Sequence, residues 1–299
     1  MSSTLAYTLP LPPDYRVDDI LDFHRRDAEC VSERVTASEL RKGLSWHGTP
    51  ACLAVSFTPS AAEVTLEVDG PVEAGDIAKL EQLARRMLGL TQDIETFEAR
   101  FARHSALGPL LAAQAGLRVP VASSPFEALS WAITGQQISV AAAVSCRRRL
   151  ILAAGAAHSS GLRCYPEAAQ VARLSFEELR AAGFSNAKAN TLLAVANAVV
   201  AGELPFETWL EAPPIETIEG ALRSMRGIGP WTVNYALLRG FASLDGSLHG
   251  DVAVRKGVQR LLGLPERPDE RWTAEWLKQF SPWRALVAAH LWASLSMAA

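Results

Sequence analysis

The sequence predicts an α+β protein, an N-terminal antiparallel sheet with helices followed by a wholly helical remainder, and three observations predict it. Residues 51–57 form a β-prone apolar run and residues 63–69 alternate as a strand does, the period turns helical from about residue 77, and beyond about residue 92 capped helices follow one another with short turns between them. With 299 residues, 49% hydrophobic and 20% charged, the chain can bury real cores, so disorder is excluded as its main state. A division near residue 105 is expected, with an α/β part at 1–105 and a helical part at 106–299.

Residues 51–57 form an apolar β-prone run. Residues 63–69 place Val64, Leu66 and Val68 on one side and Glu63, Thr65 and Glu67 on the other, a half-buried strand, and Pro59-Ser60 suits the turn between the two. Asp69-Gly70-Pro71 stops the second strand. Ile77, Leu80, Leu83, Ala84, Met87 and Leu88 then recur at helical spacing as far as Gly89, which predicts a helix packed across the sheet.

Ile94, Phe97 and Phe101 open the helical series. Residues 118–124 read as a loop, and Pro125 suits the first turn of a helix carrying Phe126, Leu129, Ala132 and Ile133 that ends at Gly135. Ser139 can cap a helix over 140–153, which leaves Gly135-Gln136-Gln137-Ile138 as an exposed interhelical loop. Ser175 and Glu178 fit a capping box, and Ser185 caps a helix through Leu192, Leu193, Val195 and Ala196 to Gly202.

Composition excludes several classes. Four cysteines, at 30, 52, 146 and 164, show no C-x-x-C pairing, so a disulfide scaffold, a structural zinc and a redox motif are not expected. The first residues lack a basic segment followed by an apolar run, and no stretch of about 18 apolar residues occurs, so a cytoplasmic protein is expected. A net charge of −3 argues against coating nucleic acid by bulk charge. That charge is uneven: residues 1–108 hold 11 basic against 17 acidic side chains, and residues 109–299 hold 18 against 15.

Residues 218–240 read I-E-G-A-L-R-S-M-R-G-I-G-P-W-T-V-N-Y-A-L-L-R-G. Thr217 is expected to cap a short helix with Leu222 and Met225 on its apolar side. Gly227 and Gly229 make a tight turn, and Pro230 suits the first position of the next helix. Helix N-terminal amides beside missing side chains form a site where a phosphate can come close, a grip that needs no net positive charge. Taken alone, G-x-G before a helix reads equally well as plain packing. After this second helix come Leu248-His249-Gly250-Asp251 and V-A-V-R-K-G-V-Q-R-L-L-G, again helical.

Hairpin, helix, short loop and G-D at a helix start resemble the HhH-GPD superfamily of DNA base-excision glycosylases. P-F-E-A-L-S-W-A-I-T-G-Q-Q-I-S-V-A-A-A at 125–143, G-I-G-P-W-T-V-N-Y-A-L-L-R-G at 227–240 and P-W-R-A-L-V-A-A-H-L-W at 282–292 are similar, in order, to the AlkA-type DNA-3-methyladenine glycosylase II family. The resemblance covers nearly the whole chain. It implies a helical core of two lobes with the active site in the cleft between them. The implied function is hydrolytic removal of alkylated bases, such as 3-methyladenine and 7-methylguanine, from double-stranded DNA by a monomeric enzyme.

By that resemblance Asp251 is the catalytic carboxylate, although local sequence alone reads it as an ordinary N-cap aspartate. Trp231 stands where strand-cutting members carry a Schiff-base lysine, which implies a monofunctional enzyme with water as the attacking group. Trp231, Tyr235 and Trp292 match positions lining the base pocket, and Phe23 joins them from the first part of the chain. The resemblance implies that Gly227, Ile228, Gly229 and Thr232 belong to the DNA-binding hairpin. The resemblance likewise implies that Gln136, Gln137 and Ile138 correspond to the family's intercalating loop, with Gln137 at the wedge position where other members carry an apolar leucine.

Arg147, Arg148 and Arg149 are a basic cluster with two open roles, phosphate contact or neutralising a helix C-terminus. No cofactor is expected beyond a monovalent cation on hairpin backbone carbonyls, with Arg223, Met225 and Ile228 as its positions, and no metal ligated by side chains; His249 reads as a loop residue. All cysteines precede residue 165, so a C-terminal four-cysteine iron–sulfur cluster cannot form. Two alternatives stand beside this reading: a glycosylase for oxidised or mismatched bases, and a silent module that only binds damaged DNA.

Overall fold

The computed structural model describes residues 2–296. Strands β1 (Ser3–Pro10), β2 (Glu33–Val35), β3 (Glu39–Trp46), β4 (Thr49–Phe57) and β5 (Ala61–Val68) pair antiparallel in the order β1-β5-β4-β3-β2. Helix α1 (Val17–His24) lies between β1 and β2, and α2 (Asp76–Met87) follows β5. The alternation read from the sequence decides the buried face: Val64, Leu66 and Val68 pack with Leu53 and Val55 of β4 under Leu80, Leu83, Ala84 and Met87 of α2. Ile77, expected on that apolar stripe, is exposed. Asp76 takes the inward place instead, accepting from Trp46 Nε1 at 3.1 Å and Glu73 N at 2.8 Å, which turns the next residue outward.

The sheet holds three strands beyond the expected pair. β3 hides from pattern reading because Lys42, fully buried, stands where an apolar residue would be expected, and because Gly43 packs so tightly that an added Cβ would lie 2.4 Å from the Arg163 carbonyl oxygen.

The remainder is helical: α3 (Ile94–Phe101), α4 (Leu107–Ala113), α5 (Pro125–Gly135), α6 (Val140–Ala154), α7 (Ala168–Val171), α8 (Phe176–Ala181), α9 (Asn186–Val200), α10 (Phe206–Glu211), α11 (Ile215–Ser224), α12 (Pro230–Phe241), α13 (Val252–Leu262), α14 (Glu270–Lys278) and α15 (Arg284–Ser296). Helix starts follow capping chemistry. Ser124, Ser139, Ser175 and Ser185 each accept a backbone N–H three residues on, and Glu178 completes the capping box by accepting from Ser175 N at 2.7 Å. Thr217 does not cap. Pro213 and Pro214 preset the backbone for an earlier start, so α11 opens at Ile215 and Thr217 falls inside its first turn. Met225 has left the helix, with φ −82° and ψ 130°.

Two cores divide these helices. One gathers α5, α6, α9, α11 and α12, including Phe126, Ile133, Leu192, Leu222 and Val233; the other joins Phe97, Leu107, Val254, Leu277 and Leu286 to Tyr235 and Leu238 of α12. Helix α12 is therefore sandwiched, one face to each core, against α5. Gly240 permits that approach, since a Cβ there would lie 3.1 Å from Pro125 Cα. The start of α12 opens where the two lobes meet.

Candidate active site

Asp251 ends the α12–α13 loop and caps α13. Its Oδ1 accepts from Ala253 N at 2.8 Å and Val254 N at 2.9 Å. The carboxylate also does what a plain cap does not: Trp231 Nε1 donates to Oδ2 at 2.8 Å and Trp292 Nε1 to Oδ1 at 3.2 Å. Four N–H groups from α12, α13 and α15 thus converge on one half-buried carboxylate. An indole nitrogen is a donor only, so both tryptophans are oriented by the acid they serve. Tyr235, one turn after Trp231, sits between the indoles, with ring centroids 5.2 Å from Trp231 and 6.4 Å from Trp292.

Phe23, near the end of α1, reaches this wall indirectly. It lines a small cavity of about 40 Å³ with Tyr235, Trp131, Arg26, Arg239 and Glu127. Arg239 is the link, its Cζ 4.7 Å from the Phe23 centroid and 5.8 Å from that of Trp292. Burial pushes its guanidinium down to about 10, and Nη1 donates to the Pro120 carbonyl at 2.7 Å. Arg239, Arg26 and Trp131 were not read from the sequence as pocket residues. Arg239 had a signal, since it lies four residues after Tyr235 on the same face of α12.

The loop and the hairpin meet through a side chain expected to face outward. Gln136 Nε2 donates to Gly227 O at 3.0 Å and to Thr232 Oγ1 at 2.9 Å, tying the α5–α6 turn to the α11–α12 turn. Gln137 is exposed in the left-handed region, φ 55°, and Ile138 is exposed beside it. Gly227, φ 90°, could not bear a side chain: a Cβ would lie 2.1 Å from Thr191 Oγ1. At Gly229 a Cβ would meet nothing, so its bareness clears space outside the protein. The Ile228 side chain points into the α5–α12 core, leaving only its backbone at the turn, and Thr232 is buried beneath Gln136.

Of the three arginines of α6, Arg147 and Arg148 take neither expected role, whereas Arg149 takes the second, its Nε donating to the carbonyl of Ala182 at the C-terminus of α8. Arg147 is buried, bridging Glu33 Oε2 at 3.2 Å and Glu127 Oε1 at 2.9 Å. Arg148 pairs with Asp27 and Glu29 across from the N-terminal part. Partners on other elements claim the charges before solvent or phosphate can. His249 Nδ1 lies 2.9 Å from Ser247 Oγ within the loop.

Residues 130–282 match the HhH-GPD superfamily of base excision DNA repair proteins, and residues 6–124 match the AlkA N-terminal domain. The chain is 29% identical over 296 residues to DNA-3-methyladenine glycosylase 2 of Escherichia coli, covering 96% of both. A 3-methyladenine DNA glycosylase from Archaeoglobus fulgidus shares the fold at TM-score 0.80 and 20% identity, over 96% of this chain and 97% of that one. An 8-oxoguanine glycosylase/lyase from Clostridium acetobutylicum, solved with double-stranded DNA, superposes at TM-score 0.72 and 15% identity, over 98% and 96%.

Proposed function

The chain belongs to the HhH-GPD superfamily of base excision DNA repair proteins, and from that premise we propose that it is a monofunctional DNA glycosylase acting on alkylated bases in duplex DNA. The observation that carries the reading is the convergence of Trp231 and Trp292 on the Asp251 carboxylate, with the Tyr235 ring against both indoles, beside the glycine turn. A base in duplex DNA cannot reach that carboxylate, so it is flipped out. Gln137 enters the vacated space, held in place through Gln136, while the Gly227–Gly229 turn presents α12's first amides to a phosphate. Backbone carbonyls at Arg223, Met225 and Ile228 would hold a monovalent cation: the chain leaves the helix at Met225 and reverses at Gly227, which suits an all-oxygen site for a hard cation. Such an ion would rigidify the turn. Duplex DNA is the partner, met by a monomer.

Breaking the N-glycosidic bond builds positive charge on the sugar, and a carboxylate stabilises it from close range. With four N–H donors fixing both oxygens, Asp251 acts as a positioned negative charge beside C1′ and orients the water that adds there. Trp231 in place of a lysine leaves no amine for a covalent intermediate, so bond cleavage ends at an abasic site. Alkylation at N3 or N7 of a purine makes the base cationic, which improves it as a leaving group and attracts it to the electron-rich rings by about 0.5–2 kcal/mol. Chromatography of material released from methylated duplex DNA tests the proposal: 3-methyladenine and 7-methylguanine are expected as free bases, with no borohydride-trapped adduct. Release of neither base sinks the function, and a trapped adduct sinks the monofunctional mechanism.

A further inference from the structure

Helix α9 reaches both of the turns that meet DNA in the glycosylase reading, and two of its side chains hold them. Lys188 Nζ donates to the Thr134 carbonyl at 2.7 Å, in the last turn of α5 just before Gln136 and Gln137. Thr191, one turn later on the same face of α9, donates from Oγ1 to the Arg226 carbonyl at 3.1 Å, where the glycine turn begins. Gln136 closes the triangle by donating to Gly227 O at 3.0 Å. All three bonds end on main-chain carbonyls, so they fix the backbone of the two turns. Helix α9 is a firm base for them, because Ala189, Leu192, Val195 and Ala196 are fully buried in the core it shares with α5, α11 and α12.

The surroundings of Lys188 are not those of an ordinary surface charge. It is half-buried, no carboxylate among the described residues pairs with it, and burial pushes its ammonium below the usual lysine range. A helix ends with its last carbonyls unsatisfied, and Thr134 is buried away from water. An ammonium at that carbonyl makes a charge-assisted bond at the negative end of the α5 dipole. Three residues on, Gln137 stands at φ 55°, a left-handed conformation that a residue other than glycine keeps where its surroundings impose it.

We propose that Lys188 is a positioning residue for base flipping: with Thr191 it sets the turn carrying Gln137 and the phosphate-binding turn at one fixed spacing, so that both engage the duplex already ordered. The proposal rests on the glycosylase reading above. Lys188 acts through the Thr134 carbonyl and makes no contact with Asp251 or its tryptophans. Without it the α5–α6 turn has to be ordered as it enters the duplex, and that cost is subtracted from the free energy that holds the base outside the helix. Bond cleavage at Asp251 is left as it was. For a well-paired lesion the flipped state is a minor one, so its population and the rate fall together. For a mismatched lesion flipping costs less, the flipped state dominates, and the same loss hardly changes its population.

Single-turnover release of 7-methylguanine, placed opposite cytosine or opposite a mismatched adenine, tests this in the wild-type protein, Lys188→Met, Lys188→Arg and Thr191→Val, with thermal unfolding as the check on folding. Methionine keeps the apolar stem and deletes the donor. Lys188→Met is expected to lose about tenfold opposite cytosine and less than about threefold opposite adenine. Lys188→Arg keeps a charged donor and is expected to recover most of the loss. Thr191→Val removes the second strut with little change of shape and is expected to show the same dependence on the opposing base, which keeps the proposal testable if Lys188→Met does not fold. The proposal is overturned if folded Lys188→Met loses nothing, or if it loses the same factor opposite both bases, as a merely structural role would give. A wild type that releases 7-methylguanine from neither duplex overturns the glycosylase reading and this proposal with it.

Discussion

At the residue scale, Asp251 shows how one side chain serves structure and chemistry together. Its Oδ1 caps α13 and its Oδ2 is held by Trp231, so the two duties can be separated by substitution. Asp251→Asn keeps an oxygen for the cap but loses the negative charge. It is expected to retain the fold and DNA binding, with base release lowered by about 10²–10³-fold in single-turnover assays. Trp231→Phe keeps the ring beside Tyr235 and deletes the donor to Oδ2; a hydrogen bond to a charged group implies a loss of about tenfold to a hundredfold in the same assay. A Trp231→Phe rate equal to wild type would show that the indole only packs. Glycine followed by aspartate at a helix start marked Asp251 in the sequence as a cap. The indole donors were not legible, because they arrive from 20 and 41 residues away.

Among the elements, the α11–α12 turn depends on two glycines for different reasons. Gly227 is confined from within, by a positive φ and by Thr191, whose Oγ1 donates to the Arg226 carbonyl at 3.1 Å, whereas Gly229 faces open space. Gly227→Ala is therefore expected to lower stability by about 1–3 kcal/mol in chemical denaturation and to weaken DNA binding. An unchanged denaturation midpoint would count against that strain. The hairpin and its proline were readable because turn chemistry is local. The start of α11 was misplaced because a residue that can cap, Thr217, lies three residues beyond Pro214, which sets the helix. Arg147 and Arg148 of α6 escaped the sequence reading for a different reason: a run of like charges looks solvated until partners from other elements are in place, and only Arg149 meets a helix C-terminus.

Across the whole molecule, the N-terminal sheet is joined to the helical core by buried charge. Lys42 Nζ donates to Glu33 Oε1 at 2.7 Å and to Glu127 Oε1 at 2.8 Å, and His24 Nδ1 lies 2.8 Å from Glu33 Oε1. Burial alone would raise both carboxyls, but Arg147 and Lys42 hold Glu33 and Glu127 well below the usual range; burial also lowers His24, against the pull of Glu33. All three shifts mean that the unfolded chain binds more protons in acid. Their stabilisation is full above about pH 6.5, is lost for His24 as pH falls below that, and for the carboxyls as it falls below about 4.5. A melting temperature that drops steadily from pH 7 to pH 3 is expected, and one that rises would refute the linkage. Lys42→Met, which strands two buried carboxylates on Arg147, is expected to cost about 3–5 kcal/mol of stability by denaturant titration.

The sequence by itself determined the α+β order, the serine-capped helices α5, α6, α8 and α9, the glycine turn and the family, because caps, turns and periodicity act over a few residues. Only the tertiary structure decided that two indoles would aim at one carboxylate, that Gln136 would lock the loop to the hairpin, and that Arg26 and Arg239 would share the Phe23 ring. The physical reason is one of range: a cap is satisfied by its own helix, whereas a buried charge or an indole N–H takes whatever partner the packed chain brings within about 3 Å, and that partner is set by packing alone.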